Sequence, residues 1–72
     1  MFSVFSNLDI SSRPKRRRAV SRIISVLELI RSEEEAYRDR IPDNFTASDA
    51  FANADISIDL LSDAVISLLD AY

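Results

Sequence analysis

The C-terminal third of the chain reads ASDAFANADISIDLLSDAVISLLDAY over residues 47–72 and repeats apolar side chains at alternating steps of four and three. This spacing collects the apolar side chains on one face of an α-helix that packs lengthwise against another helix. The segment therefore predicts a helix over residues 46–72, with Thr46 as its N-cap. Its packing face is expected to consist of Ala47, Phe51, Ala54, Ile58, Leu61, Val65, Leu68 and Tyr72.

Residues 14–41 have the same period and supply the helix that this face needs. Pro14 suits a first helical turn, and Pro42 ends the helix because its ring clashes with a continued helical path. A chain that folds back after Pro42 would place Ile30 opposite Ile58, so the expected fold is all-α, an antiparallel two-helix hairpin. The predicted packing face of this first helix is Arg16, Val20, Ile23, Leu27, Ile30, Glu34, Tyr37 and Ile41.

The size of the chain predicts self-association. Its 72 residues form a single domain, residues 1–72, and so small a domain buries only about 60% of the surface of its unfolded chain. Without cysteine it has no disulfide, so we expect a homo-oligomeric helical bundle. The apolar segment 1–12 is expected to dock on the hairpin. The candidate interface residues, all apolar and off the two packing faces, are Phe2, Phe5, Leu29, Ile56, Leu60 and Ile66.

The composition argues against catalysis. The chain contains no His, Cys or Gly, so the commonest general base, the thiolate ligands and the glycine-rich phosphate loops are missing. We therefore expect a protein that is not an enzyme and has no cofactor or metal. No apolar run exceeds three residues, and residues 1–12 have no charged region ahead of a long apolar core, so we expect no secretory signal, no membrane partner and a cytoplasmic protein.

Glu34 is the polar exception within the predicted packing face of the first helix. One hypothesis makes it a buried carboxylate that sets the specificity of the interface. The other starts from the small side chain of Ala54, which would leave a channel through which Glu34 reaches Arg31 or Arg38. Arg38 follows Glu34 by four residues, and this spacing on a helix also predicts an ion pair between the two.

Charge is divided sharply along the chain, although the net charge is only −3. Residues 13–22 are strongly basic, and cations are unfavourable at a helix N-terminus because the helix dipole is already positive there. A bound anion would offset this cost; alternatively, Asp9, Asp70 and the C-terminal carboxylate neutralise the run. The candidate anion- or partner-binding residues are Arg13, Lys15, Arg17, Arg18 and Arg22.

The second helix carries an acidic row that has two interpretations. Such a row is typical of a solubility face. It could also imitate the phosphate spacing of a nucleic acid and compete for a nucleic-acid-binding site. The row consists of Asp55, Asp59, Asp63 and Asp70.

The acidic stretch 33–35, followed by Tyr37 and by the turn at residues 41–44, resembles a pattern in short helical-hairpin proteins of phages and bacterial mobile elements. The resemblance covers residues 23–72, and the basic run is not part of it. It implies a small non-enzymatic protein that inhibits or sequesters a host component, with a defence protein or a nucleotide signal as candidates. The alternative is a nucleic-acid-binding accessory or regulatory protein that uses residues 13–22.

Overall fold

The computed structural model describes residues 9–45 and 48–72, and this part of the chain contains two packed helices and no strand. Helix α1 spans Arg13–Asp39, a short 3₁₀ turn spans Asp43–Phe45, and helix α2 spans Asp49–Leu69. The expected all-α class and the helical hairpin are therefore confirmed. The predicted docking of the N-terminal segment concerns mainly residues 1–8, which lie outside the described residues.

The two helices run antiparallel, as three contacts between them show. Arg31 on α1 contacts Ser62 on α2. Arg38, two turns later on α1, contacts Asp55, which comes two turns earlier on α2. At the open end of the hairpin, the guanidinium of Arg13 lies over the ring of Tyr72, 4.9 Å from its centroid. Later residues of α1 thus meet earlier residues of α2.

Helix α2 is shorter than the predicted 46–72 at both ends: it begins after its N-cap Ser48 and ends at Leu69, with Asp70 as its C-cap. The Ser48 hydroxyl accepts a hydrogen bond from the Phe51 N–H at 3.3 Å, which satisfies a donor that has no partner within the helix. The Ser48 N–H in turn donates to the Phe45 carbonyl at 2.9 Å. The prediction that Thr46 caps this helix is therefore wrong; Thr46 itself lies outside the described residues.

Pro42 limits α1, as the sequence predicts, but the helix ends at Asp39, two residues before the expected end. The Arg40 N–H is shared between the carbonyls of Ala36 and Tyr37, both at 3.2 Å, which is typical of a helix terminus. The Pro42 carbonyl then accepts from the Phe45 N–H at 2.8 Å. The chain reverses within this turn.

The packing face of α2 is the predicted one. Ala54, Ile58 and Val65 are buried, and Ala54 is only 1% exposed. The flanking members Phe51, Leu61 and Leu68 are half-buried, whereas Tyr72 at the chain end is exposed. The alternation of steps therefore identified the core side of this helix correctly.

The packing face of α1 is rotated relative to the prediction. Ile24 is buried although it is not a member of the predicted face, whereas Ile30, which was expected to pack opposite Ile58, is 48% exposed. The rotation lets the long stems of Arg31 and Arg38 lie along α2 while their guanidinium groups reach polar partners. Arg31 donates to the Ser62 hydroxyl at 3.4 Å.

Candidate functional site

A shallow groove runs between the helices on the side opposite these arginine contacts. Its apolar centre is formed by Ile30, Leu60 and Leu61, with Glu34 and Ser57 beside them. The groove continues toward the turn, where its lining residues are Glu34, Tyr37, Ala50, Asn53, Ala54 and Ser57.

Glu34 lines this groove and is only partly buried, which accords with the hypothesis of a channel beside Ala54 and not with that of a buried carboxylate. It also lacks the expected arginine partners. Arg31 approaches Glu35 at 3.8 Å, and Arg38 pairs with Asp55 at 2.9 Å and with Asp39 at 3.3 Å. The rotation of α1 turns both arginines away from the groove, which explains why the Glu34–Arg38 pair does not form.

The candidate interface residues that the structure describes are all on the surface. Leu29, Ile56, Leu60 and Ile66 are between 56% and 67% exposed. Leu29 is on α1, apart from the other three, which are on α2; there Leu60 lines the groove one turn after Ile56, and Ile66 is on the outer side. Phe2 and Phe5 lie outside the described residues.

The outer side of α2 carries a continuous exposed stripe in which carboxylates alternate with aliphatic side chains. Its members recur at steps of three and four, so they share one side of the helix. Asp55 does not belong to the stripe, because its carboxylate is bound by Arg38. We call this surface the acidic stripe, and its members are Asp49, Ala52, Ile56, Asp59, Asp63, Ile66 and Asp70.

None of the four stripe aspartates has a side-chain ion pair within residues 9–45 and 48–72. Asp70 in particular does not neutralise the basic run there, contrary to one of the two expectations for it. Unpaired carboxylates beside exposed isoleucines leave both charge and apolar surface available to a partner.

The basic run is divided by its contacts. Lys15 pairs with Asp9 at 2.9 Å, Arg16 donates to the Ile10 carbonyl at 3.2 Å, and Arg13 stacks on Tyr72. The remaining candidates, Arg17, Arg18 and Arg22, are exposed and form no ion pair with any other described residue. Neutralisation within the chain therefore accounts for only part of the run.

The Lys15–Asp9 contact should be visible in a titration. The hydrogen bond from Lys15, with smaller contributions from Ser11, lowers the pKa of Asp9 from 3.8 to about 2. Because the folded-state value is the lower one, the pair favours the folded chain above pH 3.8, and this contribution is lost as the pH falls through about 2.

We expect carboxyl-carbon NMR to give an Asp9 midpoint near 2 in the wild-type chain and a clearly higher one in Lys15→Gln. Arg17→Gln is the matched control, since it removes a neighbouring positive charge without touching Asp9. An Asp9 midpoint that Lys15→Gln leaves unchanged would contradict this contact.

Three further findings concern metal ions, membranes and known proteins. Among the described residues, no group of three or more His, Cys, Asp or Glu side chains is arranged to hold a metal ion. In the same ranges, neither helix is long and apolar enough to cross a membrane. No family model, curated protein or solved structure matches the chain.

Proposed function

We propose that this chain is a non-enzymatic binding protein that captures a basic surface of another protein on the acidic stripe of α2. The observation that carries the proposal is the combination of four unpaired aspartates with the exposed Ile56 and Ile66 on one helix face. The two isoleucines supply apolar contact area, and the carboxylates between and beyond them select a partner of opposite charge.

The dimensions of the stripe suit a protein partner. From Asp49 to Asp70 it extends about 30 Å along the helix axis, longer than a small-molecule site requires. Ile56 and Ile66 lie in its interior, about 15 Å apart, with Asp59 and Asp63 between them. A helix or groove with two apolar contacts and intervening Lys or Arg residues would complement it.

Such binding accords with the role that the resemblance implies, sequestration of a host component. A basic protein surface in a cell often serves to bind nucleic acid. A row of carboxylates that occupied it would exclude the phosphate backbone by competition. On this proposal the target is therefore a host protein with a basic nucleic-acid-binding surface, and the chain acts by stoichiometric occupancy.

The test is capture from host lysate on immobilised chain, followed by affinity measurement with each purified partner. We expect a basic partner that binds stoichiometrically and is displaced by added nucleic acid. Asp59→Lys should weaken binding about tenfold or more, because it places like charges opposite each other. Glu28→Lys is the matched control, since it reverses one exposed carboxylate on α1, outside the stripe.

A partner whose affinity responds equally to both reversals would reflect net charge alone and contradict the stripe as the binding surface. A partner that is itself acidic would do the same.

A second function is favoured by the three unpaired arginines, Arg17, Arg18 and Arg22, which could contact phosphate groups of DNA or RNA directly. Binding of this kind would weaken steeply with salt, and the variant with all three arginines replaced by Gln would lose it. Salt-dependent binding of nucleic acid that disappears in this variant but persists in Asp59→Lys would favour this function over the first.

A further inference from the structure

A second exposed stripe lies on α1 and has a charge pattern that is complementary to itself. It consists of Arg22, Val26, Leu29 and Glu33, at steps of four, three and four, so its members share one side of the helix. Leu29 is 67% exposed, Arg22 and Glu33 are exposed, and Val26 is half-buried. The order along the helix is positive, apolar, apolar, negative.

Neither charged end of this stripe is used within the described part of the chain. The ion pairs there involve Lys15, Arg31 and Arg38, and neither Arg22 nor Glu33 takes part in any of them. Both are exposed side chains without an ionic partner among residues 9–45 and 48–72, and they lie about 16 Å apart along the helix axis. The distance is too great for them to pair with each other within one chain.

We propose that two copies of this chain pair antiparallel along α1 through Arg22, Val26, Leu29 and Glu33. A two-fold axis that crosses α1 between residues 27 and 28 brings Arg22 of each copy opposite Glu33 of the other. The same axis brings Val26 opposite Leu29. The contact is isologous: one stripe serves both copies, and each pairing occurs twice.

The surroundings of the stripe fit this arrangement. Ile30, one turn after Val26 and toward the groove, is 48% exposed and adds apolar surface along one edge of the contact. One turn beyond Glu33, the small side chain of Ala36 allows the helices to approach closely. Further out, Lys15 would come near Arg40, and the charge of Lys15 is already balanced by Asp9 at 2.9 Å.

The choice of a second copy over an unrelated protein rests on this charge complementarity. An interface whose two halves carry opposite charges at equal distances from an apolar centre is complementary to itself only in the antiparallel orientation. A parallel pair would place Arg22 against Arg22 and Glu33 against Glu33, where like charges repel. The acidic stripe of α2 lies on the other helix and is not used in this contact, so the inference is independent of the proposed function.

Charge exchange tests the pairing directly. Sedimentation equilibrium of the full chain at low ionic strength should show a dimer of 8.1 kDa subunits. Arg22→Glu and Glu33→Arg should each raise the dimer dissociation constant about tenfold or more, because each creates two like-charge contacts. The double variant R22E/E33R should restore the dimer, since both charges are exchanged and opposite charges face each other again.

Arg17→Glu is the matched control, since it reverses another arginine of the basic run that lies about 140° around the helix from Arg22. It should leave the dissociation constant unchanged, and circular dichroism should show the same helix content in every variant. A wild-type chain that is monomeric in this sedimentation experiment would overturn the proposal. So would a dimer that ignores the single reversals, or a double variant that fails to recover.

Discussion

Ile58→Ala is expected to destabilise the hairpin severely, by about 2–5 kcal/mol. Ile58 is one of only five buried apolar side chains in the described part of the chain, and it is 9% exposed in the middle of α2. Removing its side chain beyond Cβ deletes apolar contact with α1 and leaves a cavity that two helices cannot close without shifting. Because a small domain has little stability in reserve, most of the free energy of unfolding would be lost.

The control is Ile56→Ala, the same substitution two residues earlier on the same helix. Ile56 is 56% exposed, so the change should alter the free energy of unfolding by less than about 0.5 kcal/mol. Urea denaturation of both variants at one protein concentration, followed by circular dichroism, measures the difference. Equal denaturation midpoints would mean that the packing face of α2 is not the one described.

Ala54→Leu is expected to be the second strongly destabilising change, for the opposite reason. Ala54 is the most buried of the core residues, 1% exposed, at the base of the groove beside Glu34 and Tyr37. A larger side chain there forces the helices apart or into strained rotamers, at a cost of about 1–3 kcal/mol. Leucine and alanine are both good helix formers, so the loss would report packing rather than helix propensity.

Ala52→Leu provides the comparison, because Ala52 is exposed on the outer side of α2. We expect its urea midpoint to remain close to that of the wild type. If Ala54→Leu were as stable as Ala52→Leu, the two helices would have to be more loosely packed at this level than the burial of Ala54 indicates.

The two proposed surfaces differ in what would disturb them. Core substitutions at Ile58 or Ala54 should weaken both self-association and partner binding, because they unfold the helices that present the stripes. Asp59→Lys should weaken binding to the acidic stripe without changing self-association, and Arg22→Glu should weaken self-association without changing binding to the acidic stripe. This separation makes it possible to assign a loss of binding to a surface rather than to the fold.

Much of this architecture follows from the amino-acid sequence alone. The alternating spacing of four and three residues runs without a break along one face of α2, so Ala54, Ile58 and Val65 could be identified as part of its buried side. Pro42 stops α1 wherever the rest of the chain lies, because the clash that it causes is local. The exposure of Leu29 and Leu60 likewise follows from their positions off the packing faces.

The rotation of α1 was decided only by the tertiary structure. Its apolar residues come as adjacent pairs, Ile23–Ile24, Val26–Leu27 and Leu29–Ile30, so several rotations of the helix bury a similar apolar area. Packing against α2 selects the rotation that buries Ile24 and exposes Ile30. The pattern within one helix cannot distinguish these alternatives.

The ion-pair partners of the charged residues also could not be predicted from the spacing along one helix. The rule for residues four apart predicted Glu34 as the partner of Arg38, but Asp55, seventeen positions away, takes that place. Spacing along one helix determines which side chains are neighbours on that helix. The choice between such a neighbour and a group on the facing helix depends on the rotation and register of both, and these exist only once the helices have packed.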